Sequence, residues 1–358
     1  MPISAVDAIG PSFQHTKQQL TQPFSVKQWA KLALVGFLAG ELSSGGCNTS
    51  SFQVPHQTQT QQFAAATPPV SNPVLYGSLI LLLIVAGFVL VIVLMYASSV
   101  MRFILFDSVI AKRCEIRRGW ERRHREGFRY FIWQILLMLS TVIGLTILVG
   151  IPAALAVALG WFSHPKDHMV PLILGGMALF FLLLAFIVTL IVVHVMTKDF
   201  VVPQMALENL SAMEGWRRLL PMLKSEKGSY AGYFGMKIVM AIAASVVVGI
   251  VSVIVILLML IPVGGIGAVV VLGGKAAGLA WNLYTITLAV VVGAIVLALI
   301  LYVISLISVP AIVFFPAYSI YFFASRYAPL DALIHPAPPP PPYIPPPLEP
   351  MPPPEPIG

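Results

Sequence analysis

The sequence has little charge. Only 10% of its 358 residues are charged and 58% are hydrophobic, whereas a soluble domain carries about a quarter charged residues. This composition excludes a soluble globular domain. It predicts a polytopic membrane protein in which most of the chain forms one helical bundle in lipid.

The sequence is also poor in residues that carry chemistry. It has two cysteines, Cys47 and Cys114, and neither lies at metal-ligand spacing from other ligands. It contains no His-Glu-x-x-His motif, no phosphate-binding Gly-x-x-x-x-Gly-Lys loop and no nucleophile elbow. We therefore predict a protein that is not an enzyme, with no catalytic, cofactor-binding or metal-binding residues.

Negative charge is scarcer than positive charge, with 14 acidic against 21 basic residues. The basic residues cluster in two polar segments between long apolar stretches: the first elbow, residues 107–130, and the second elbow, residues 197–227. Those of the first elbow are Lys112, Arg113, Arg117, Arg118, Arg122, Arg123, Arg125 and Arg129. Those of the second elbow are Lys198, Arg217, Arg218, Lys224 and Lys227.

The loops on the opposite side hold almost no lysine or arginine, so the positive-inside rule places both elbows in the cytoplasm. Basic residues beside a span usually meet anionic lipid headgroups. We therefore predict membrane lipid, and not nucleic acid, as the partner of the elbows.

Five apolar stretches are long enough to span a bilayer. They cover residues 75–98, 131–151, 172–196, 233–261 and 283–309. Proline is predicted to kink or end the second span at Pro152 and to end the fourth at Pro262, followed by a glycine-rich loop over 263–278. Pro310 and Pro316 are predicted to break the segment after the fifth span.

The N-terminal segment predicts a short polar helix within residues 1–21 and a second helix over 25–44. Ser25 and Gln28 have the spacing of a capping box, and Phe24 and Trp29 that of a hydrophobic staple. The apolar centre of the second helix is short for a span. It could lie in the interface, re-enter or cross obliquely; a crossing is slightly preferred because the uncharged stretch that follows resembles an exported loop.

These features divide the chain into three parts. Residues 1–73 hold the N-terminal helices and the exported polar loop, residues 74–327 form the transmembrane bundle, and residues 328–358 form a proline-rich, disordered cytoplasmic tail. The tail contains a Pro-Pro-x-Tyr pattern ending at Tyr343. This pattern fits a ligand for an aromatic groove on a protein partner, and a solvated polyproline spacer is the alternative.

The second elbow contains an amphipathic helix. Its apolar positions are Ala206, Leu210, Met213, Trp216, Leu220 and Leu223. The helix could sense lipid, dock a partner or act as a lateral brace beneath the bundle. The candidate interfacial or docking residues are Trp120, Leu210, Met213, Trp216, Arg217, Arg218 and Tyr343.

The two elbows resemble each other. Met101 precedes Gly119-Trp120 at almost the separation at which Met196 precedes Gly215-Trp216. In both copies one span leads into the elbow and the next span leads out of it. This pattern predicts a parallel internal duplication of a helical hairpin.

Ionisable residues are almost absent from the spans, which argues against an ion-coupled pump. Lys237 and His194 lie near span ends, where their polar groups are predicted to snorkel to the interface. Small residues recur every four positions at Ala241, Ser245 and Gly249. This spacing favours close helix packing, with self-association as the alternative.

The second elbow carries the motif Asp199-Phe200-Val201-Val202-Pro203, followed by Met205, Glu208 and Gly215-Trp216-Arg217-Arg218. With these residues the chain resembles an uncharacterised family of bacterial integral membrane proteins. It is similar to the membrane domain attached to some glycerophosphodiester phosphodiesterases. The resemblance implies a bacterial inner-membrane protein, and it transfers no activity because the phosphodiesterase barrel is missing.

We therefore expect an all-α, polytopic transmembrane helix bundle with amphipathic cytoplasmic elbow helices. The expected function is a non-enzymatic scaffold that docks partners through the elbows and the tail. The alternative is a carrier or organiser of lipids or other apolar molecules. A third interpretation is an accessory subunit of a phosphodiesterase encoded elsewhere.

Overall fold

The structure is a computed structural model that describes residues 3–41, 73–161, 167–276 and 283–336, and every regular element in these ranges is helical. Five helical stretches are long and apolar enough to cross a membrane. They are Ile84–Ile110, Ile116–Ala158, Met169–Glu208, Lys227–Pro262 and Thr287–Ala324. The predicted all-α transmembrane bundle is confirmed. Cys47, the polar loop and Tyr343 lie outside the described residues.

Eleven α-helices are described. They are α1 Ile9–Thr21, α2 Val26–Leu38, α3 Pro73–Ile110, α4 Ile116–Leu145, α5 Ile151–Ala158, α6 Met169–Met196, α7 Val202–Glu208, α8 Ala212–Ser225, α9 Lys227–Ala276, α10 Leu283–Ala324 and α11 Ala328–Ile334. A five-residue π-helical turn, Thr146–Gly150, joins α4 to α5. A second, Thr197–Val201, joins α6 to α7. Residues 328–334, assigned to the tail from sequence, form α11.

Both π turns are followed by a proline. Pro152 and Pro203 each occupy the second residue of the helix after the turn. Proline lacks the N–H that an α-helix needs, and its ring crowds the carbonyl four residues earlier. A π turn before the proline changes the hydrogen-bond register at this place. The second span therefore does not end at Pro152 but continues to Ala158.

The other prolines do not end their helices, so two sequence predictions are wrong. α9 runs through Pro262 to Ala276, over most of the residues predicted as a glycine-rich loop. α10 runs through Pro310 and Pro316 to Ala324. At Pro262, at the end of an apolar span, hydrocarbon offers no water to satisfy a broken helix, so continuing past one missing hydrogen bond costs less than ending there. Around Pro310 and Pro316, the buried residues Val309, Ile312 and Ala317 pack α10 into the protein core, which holds the helix together.

The tightly packed core lies at the ends of the spans that carry the elbows, which we call the elbow end. Buried residues cluster in the stretches 100–109, 196–206 and 309–330. In contrast, of the 18 most apolar consecutive residues in each candidate span, only 0% to 17% are buried against protein. The spans are therefore built to face lipid along most of their length, and protein-like packing begins at the elbow end.

Helix α2 packs against the elbow end. Gln28 Nε2 donates to Lys112 O at 2.9 Å and Trp29 Nε1 donates to Leu306 O at 2.9 Å. The predicted Phe24–Trp29 contact is confirmed, with ring centroids 5.8 Å apart. The predicted capping box is wrong, because the Ser25 side chain accepts no cap hydrogen bond and Gln28 donates to Lys112 O, just beyond the end of α3. With 13 residues, α2 is about 20 Å long and shorter than a typical span.

Helix α1 is held through a buried histidine. His15 Nε2 lies 2.8 Å from Val109 O and Nδ1 lies 3.2 Å from the Tyr321 hydroxyl. Since a carbonyl can only accept, Nε2 carries the hydrogen and Nδ1 accepts from Tyr321. Burial, with a further contribution from Lys112, lowers the pKa of His15 although the hydrogen bond to Val109 opposes the shift. The neutral ring therefore joins α1 to the ends of α3 and α10.

Gly127 sets the distance between α3 and α4. A Cβ atom at this position would lie 2.5 Å from Val100 Cγ2 and 2.9 Å from the Val100 Cα atom, which cannot rotate away. We expect Gly127→Ala to lower the free energy of unfolding by about 1–3 kcal/mol through overpacking. Denaturant-induced unfolding in detergent measures this loss.

Gly232→Ala is the matched control, because a Cβ atom at this helical position meets nothing within 4 Å. Alanine favours a helix over glycine, so this variant should be neutral or slightly stabilising. Equal stability of the two variants would contradict the close approach of α3 and α4 at Gly127.

Candidate functional site

The two elbows repeat one packing arrangement. A Cβ atom at Gly119 would lie 3.0 Å from Ile104, and one at Gly215 would lie 2.7 Å from Val201. Each of these glycines thus lets an elbow helix press against the end of the preceding span. The tryptophan that follows contacts the same span in both copies. This common geometry supports the predicted internal duplication.

The contacts of the two tryptophans differ in detail. The Trp120 ring meets Tyr96 edge-on with centroids 5.9 Å apart, whereas Trp216 Nε1 donates to Thr197 Oγ1 at 3.0 Å. The elbows also differ in construction. The second contains the separate helices α7 and α8, while the basic part of the first forms the opening turns of α4 itself. The prediction of a separate elbow helix therefore holds only for the second elbow.

One face of helix α8 packs against the bundle, and another face is exposed. Ala212, Gly215 and Leu219 are buried against the bundle. Met213 is 64% exposed and Leu220 is 43% exposed, so part of the predicted apolar stripe faces outward. We call Met213 and Leu220 the apolar edge of α8.

The surroundings of the apolar edge are basic and polar. Arg217 and Lys224 are exposed on α8, while Leu210 and Trp216 are half-buried. Arg217 pairs with Glu214 at 3.3 Å. An apolar edge beside exposed cations is the arrangement of a helix that lies in a membrane interface.

Arg218 is exposed, and it also holds α8 in place through ion pairs. It pairs with Glu208 at the end of α7, and its Nε lies 3.6 Å from Glu214 one helical turn earlier. Glu208 also accepts a hydrogen bond from the Tyr327 hydroxyl. Arg218 therefore helps to fasten α8 to the turn between α10 and α11.

Arg123 is buried inside the elbow end, with 12% of its side chain exposed. Its Nε and Nη2 donate to the two carboxylate oxygens of Asp107, both at 2.8 Å, and Nη1 donates to Ala206 O at 2.6 Å. It thus joins α3, α4 and α7. The prediction that the first-elbow cations contact lipid is wrong for Arg123.

Four other arginines of α4 form an exposed stripe. Arg118, Arg122, Arg125 and Arg129 follow at intervals of four, three and four residues and are all exposed. At 3.6 residues per turn these positions share one helix face. We call this set the arginine stripe. Within it, Arg118 pairs with Glu115 at 3.2 Å and Arg129 donates to Asn209 O.

The elbow end also contains a buried cluster of charges. Its members are Glu41, Arg102, Lys198, Asp199 and Lys237, which we call the junction cluster. Lys198 pairs with Glu41, and Lys237 pairs with Asp199. The Tyr233 hydroxyl donates to Asp199 at 2.9 Å. The cluster connects the segment after α2 with α3, the second π turn and α9.

The junction cluster corrects one expectation and adds a site. Lys237 does not snorkel, because its side chain is only 11% exposed and its ammonium group meets Asp199. The sequence pattern did not indicate the cluster, since the two carboxylates come from segments 158 residues apart in the chain. Burial raises the pKa of Glu41, but the charges of Lys198 and Arg102 outweigh it, so the pKa is lowered and the carboxyl is ionised.

Within the described ranges, no group of three or more His, Cys, Asp or Glu residues is placed to hold a metal ion. The candidate sites are therefore two surfaces and one buried cluster: the arginine stripe, the apolar edge of α8 and the junction cluster. None of them brings together a nucleophile and a base in the described residues.

These features define a multi-pass, all-α membrane protein with five candidate spans and a packed elbow end. The chain belongs to DUF7544, a family of unknown function, whose match covers residues 3–333. No curated protein matches the chain, and no solved structure matches it.

Proposed function

We propose that this protein is a non-enzymatic scaffold of a bacterial inner membrane that docks an acidic protein partner on the cytoplasmic arginine stripe. The geometry of α4 carries the proposal. The helix is continuous from Ile116 into its span, so the stripe runs along the helix for about 16 Å from Arg129 to Arg118. The headgroup layer of one leaflet is only about 5–8 Å deep.

Lipid headgroups can therefore reach the membrane end of the stripe near Arg129, while Arg118 and Arg122 extend beyond them. Exposed arginines favour carboxylates as partners, since the guanidinium group matches them in a two-point hydrogen bond. The stripe is also held rigid by Arg123 on the buried face of the same helix. A preorganised surface loses less entropy when it binds.

The test compares two charge-matched double variants in native membranes. Arg122→Gln/Arg125→Gln removes two cations of the stripe, and Arg113→Gln/Arg117→Gln removes two exposed cations outside it. We expect only the first variant to lose a crosslinked acidic partner, and we expect salt to weaken the wild-type complex. Identical crosslinking in all three proteins would contradict docking on the stripe.

The proline-rich tail contributes a second docking element in this proposal. Truncation after His335 removes Tyr343 and the Pro-Pro-x-Tyr pattern. If the tail binds an aromatic groove, truncation and Tyr343→Ala should release the same partner. If the tail is a spacer, truncation should leave the crosslinked partners of the arginine stripe unchanged.

The proposed orientation needs a labelling test that does not depend on Cys114. Cys114 is buried, and burial raises the pKa of its thiol, so it would react slowly on either side of the membrane. In a Cys114→Ser background, Arg122→Cys places a thiol at an exposed elbow position. In the same background, with Cys47 also replaced by serine in both proteins, Asp167→Cys places a thiol at an exposed position at the opposite ends of the spans. In cells with a permeabilised outer membrane, an impermeant reagent should label Asp167→Cys and spare Arg122→Cys; the reverse pattern would refute the orientation.

The second candidate function is a carrier or organiser of lipids, which is favoured by the apolar edge of α8. Met213 and Leu220 are exposed beside Arg217 and Lys224, as expected of a helix resting among anionic headgroups. The resemblance to phosphodiesterase membrane domains adds a separate candidate partner, a phosphodiesterase on another chain. Co-purified lipid without a protein partner would favour the lipid function over docking.

A further inference from the structure

We propose that the junction cluster binds one phosphate group through Arg102, independently of partner docking on the arginine stripe. The phosphate is either the phosphodiester of a membrane lipid or a free phosphate ion. Three observations carry this assignment: an uncompensated buried charge, an unpartnered donor and an open cavity beside them.

The charges of the junction cluster do not balance. Glu41 is matched by Lys198 and Asp199 by Lys237, which leaves the charge of Arg102. This residue is only 7% exposed. Its Nη1 donates to the Tyr130 hydroxyl and its Nη2 donates to Ala39 O at 3.0 Å, and both acceptors are neutral. A buried cation normally requires an anionic partner.

Arg102 also retains a free donor. Its Nε is buried and has no hydrogen-bond partner. Buried polar groups are nearly always satisfied, so an orphaned donor on a charged side chain points to a missing acceptor. A phosphate oxygen would supply both the acceptor and the negative charge.

A cavity lies beside the Arg102 side chain. Glu41, Arg102 and Lys198 line its charged end, and Leu105, Pro203 and Ile320 contribute apolar wall. The centre of a water-sized group can occupy about 30 Å³ of this cavity, so it is small and suits a single compact group. Its two carboxylates, Glu41 and Asp199, are each held by an ammonium group, so they oppose an incoming anion less than free carboxylates would.

The depth of Arg102 suits a lipid headgroup. The predicted apolar run of α3 ends at residue 98, and Arg102 follows one helical turn later, about 6 Å along the axis. This is where the phosphate layer of a bilayer meets the protein. A phosphodiester of the surrounding lipid can therefore reach the same donor that a free phosphate ion would use.

The experiment measures thermal unfolding of the purified full chain in two kinds of nanodisc. One contains phosphatidylcholine, and the other contains a phosphate-free galactolipid of the same zero net charge. A second arm adds inorganic phosphate to the galactolipid discs, with chloride at equal ionic strength as the reference. A higher unfolding temperature in phosphatidylcholine supports a lipid phosphate, and one raised by inorganic phosphate supports a free ion.

Arg102→Lys keeps the charge but removes Nε, so the apparent phosphate affinity should fall about tenfold or more. Arg113→Lys, at an exposed position outside the arginine stripe, is the control and should bind like wild type. If Arg102→Lys does not fold, Leu105→Phe narrows the apolar wall without changing charge and should also weaken binding. Wild-type protein that neither phosphate source stabilises, or equal affinity in all variants, would overturn the proposal.

Discussion

Replacing Arg123 by methionine is expected to destabilise the protein by about 3–5 kcal/mol, because it leaves the half-buried carboxylate of Asp107 and the buried carboxylate of Glu126 without their cation. Arg123 binds both oxygens of Asp107 and the carbonyl of Ala206. All three acceptors would lose their donor in a region that water reaches poorly. Denaturant unfolding in detergent, followed by tryptophan fluorescence, measures the loss.

Arg118→Met provides the control on the same helix. Arg118 is exposed and its pair with Glu115 spans 3.2 Å, so its removal should cost only about 0–1 kcal/mol. The double variant Arg123→Met/Asp107→Leu removes this pair but leaves the buried carboxylate of Glu126, which lies 3.9 Å from Arg123, so it should recover only part of the lost stability. If Arg123→Met were as mild as Arg118→Met, Arg123 would not join the three helices.

Hydropathy predicted the spans well because span length is a local property of the chain. The stretch 172–196 corresponds closely to α6, and 75–98 lies within α3. The prediction that the prolines end their helices was wrong, because that effect depends on the surroundings of each proline. In water a freed carbonyl can bind water and a helix can end, whereas α9 continues through Pro262 at the end of an apolar span. Helix α10 continues through Pro310 and Pro316 because tertiary packing at the elbow end holds it.

The contacts of the elbow helices were predictable at the positions that recur in both elbows. Gly119-Trp120 and Gly215-Trp216 stand out in the sequence, and both pairs pack against the preceding span. No motif in the sequence distinguishes Arg123 from the other seven lysines and arginines of the first elbow. Its helical phase could have revealed it, since Gly119, Arg123 and Gly127 follow at intervals of four and the two glycines pack on α3.

The junction cluster was not predictable from local pattern. In the sequence, Lys198-Asp199 is typical of a polar turn, and Glu41 lies near the end of a short predicted helix. Each residue acquires its partner only when α2, α3, the π turn and α9 meet. A single sequence carries no signal for such long-range pairing, so Lys237 was interpreted as snorkelling when the structure pairs it with Asp199.

Asp199→Ala is the second variant with a large expected effect. It leaves the Lys237 ammonium buried without a counter-charge and removes the acceptor of the Tyr233 hydroxyl. We expect a loss of about 3–5 kcal/mol in the free energy of unfolding. Asp167→Ala, at an exposed position away from the elbow end, should change stability by at most about 0.5 kcal/mol.

A double variant separates the charge from the packing. Asp199→Leu/Lys237→Met removes both ions, so it should be clearly more stable than Asp199→Leu alone. The remaining deficit would report the lost hydrogen bond of Tyr233, and Tyr233→Phe in the double background should then be nearly neutral. If the double variant were no more stable than Asp199→Leu, the burial of Lys237 against Asp199 would be refuted. The loss would then be assigned to the shape of the π turn, where Asp199 lies between Met196 and Val202.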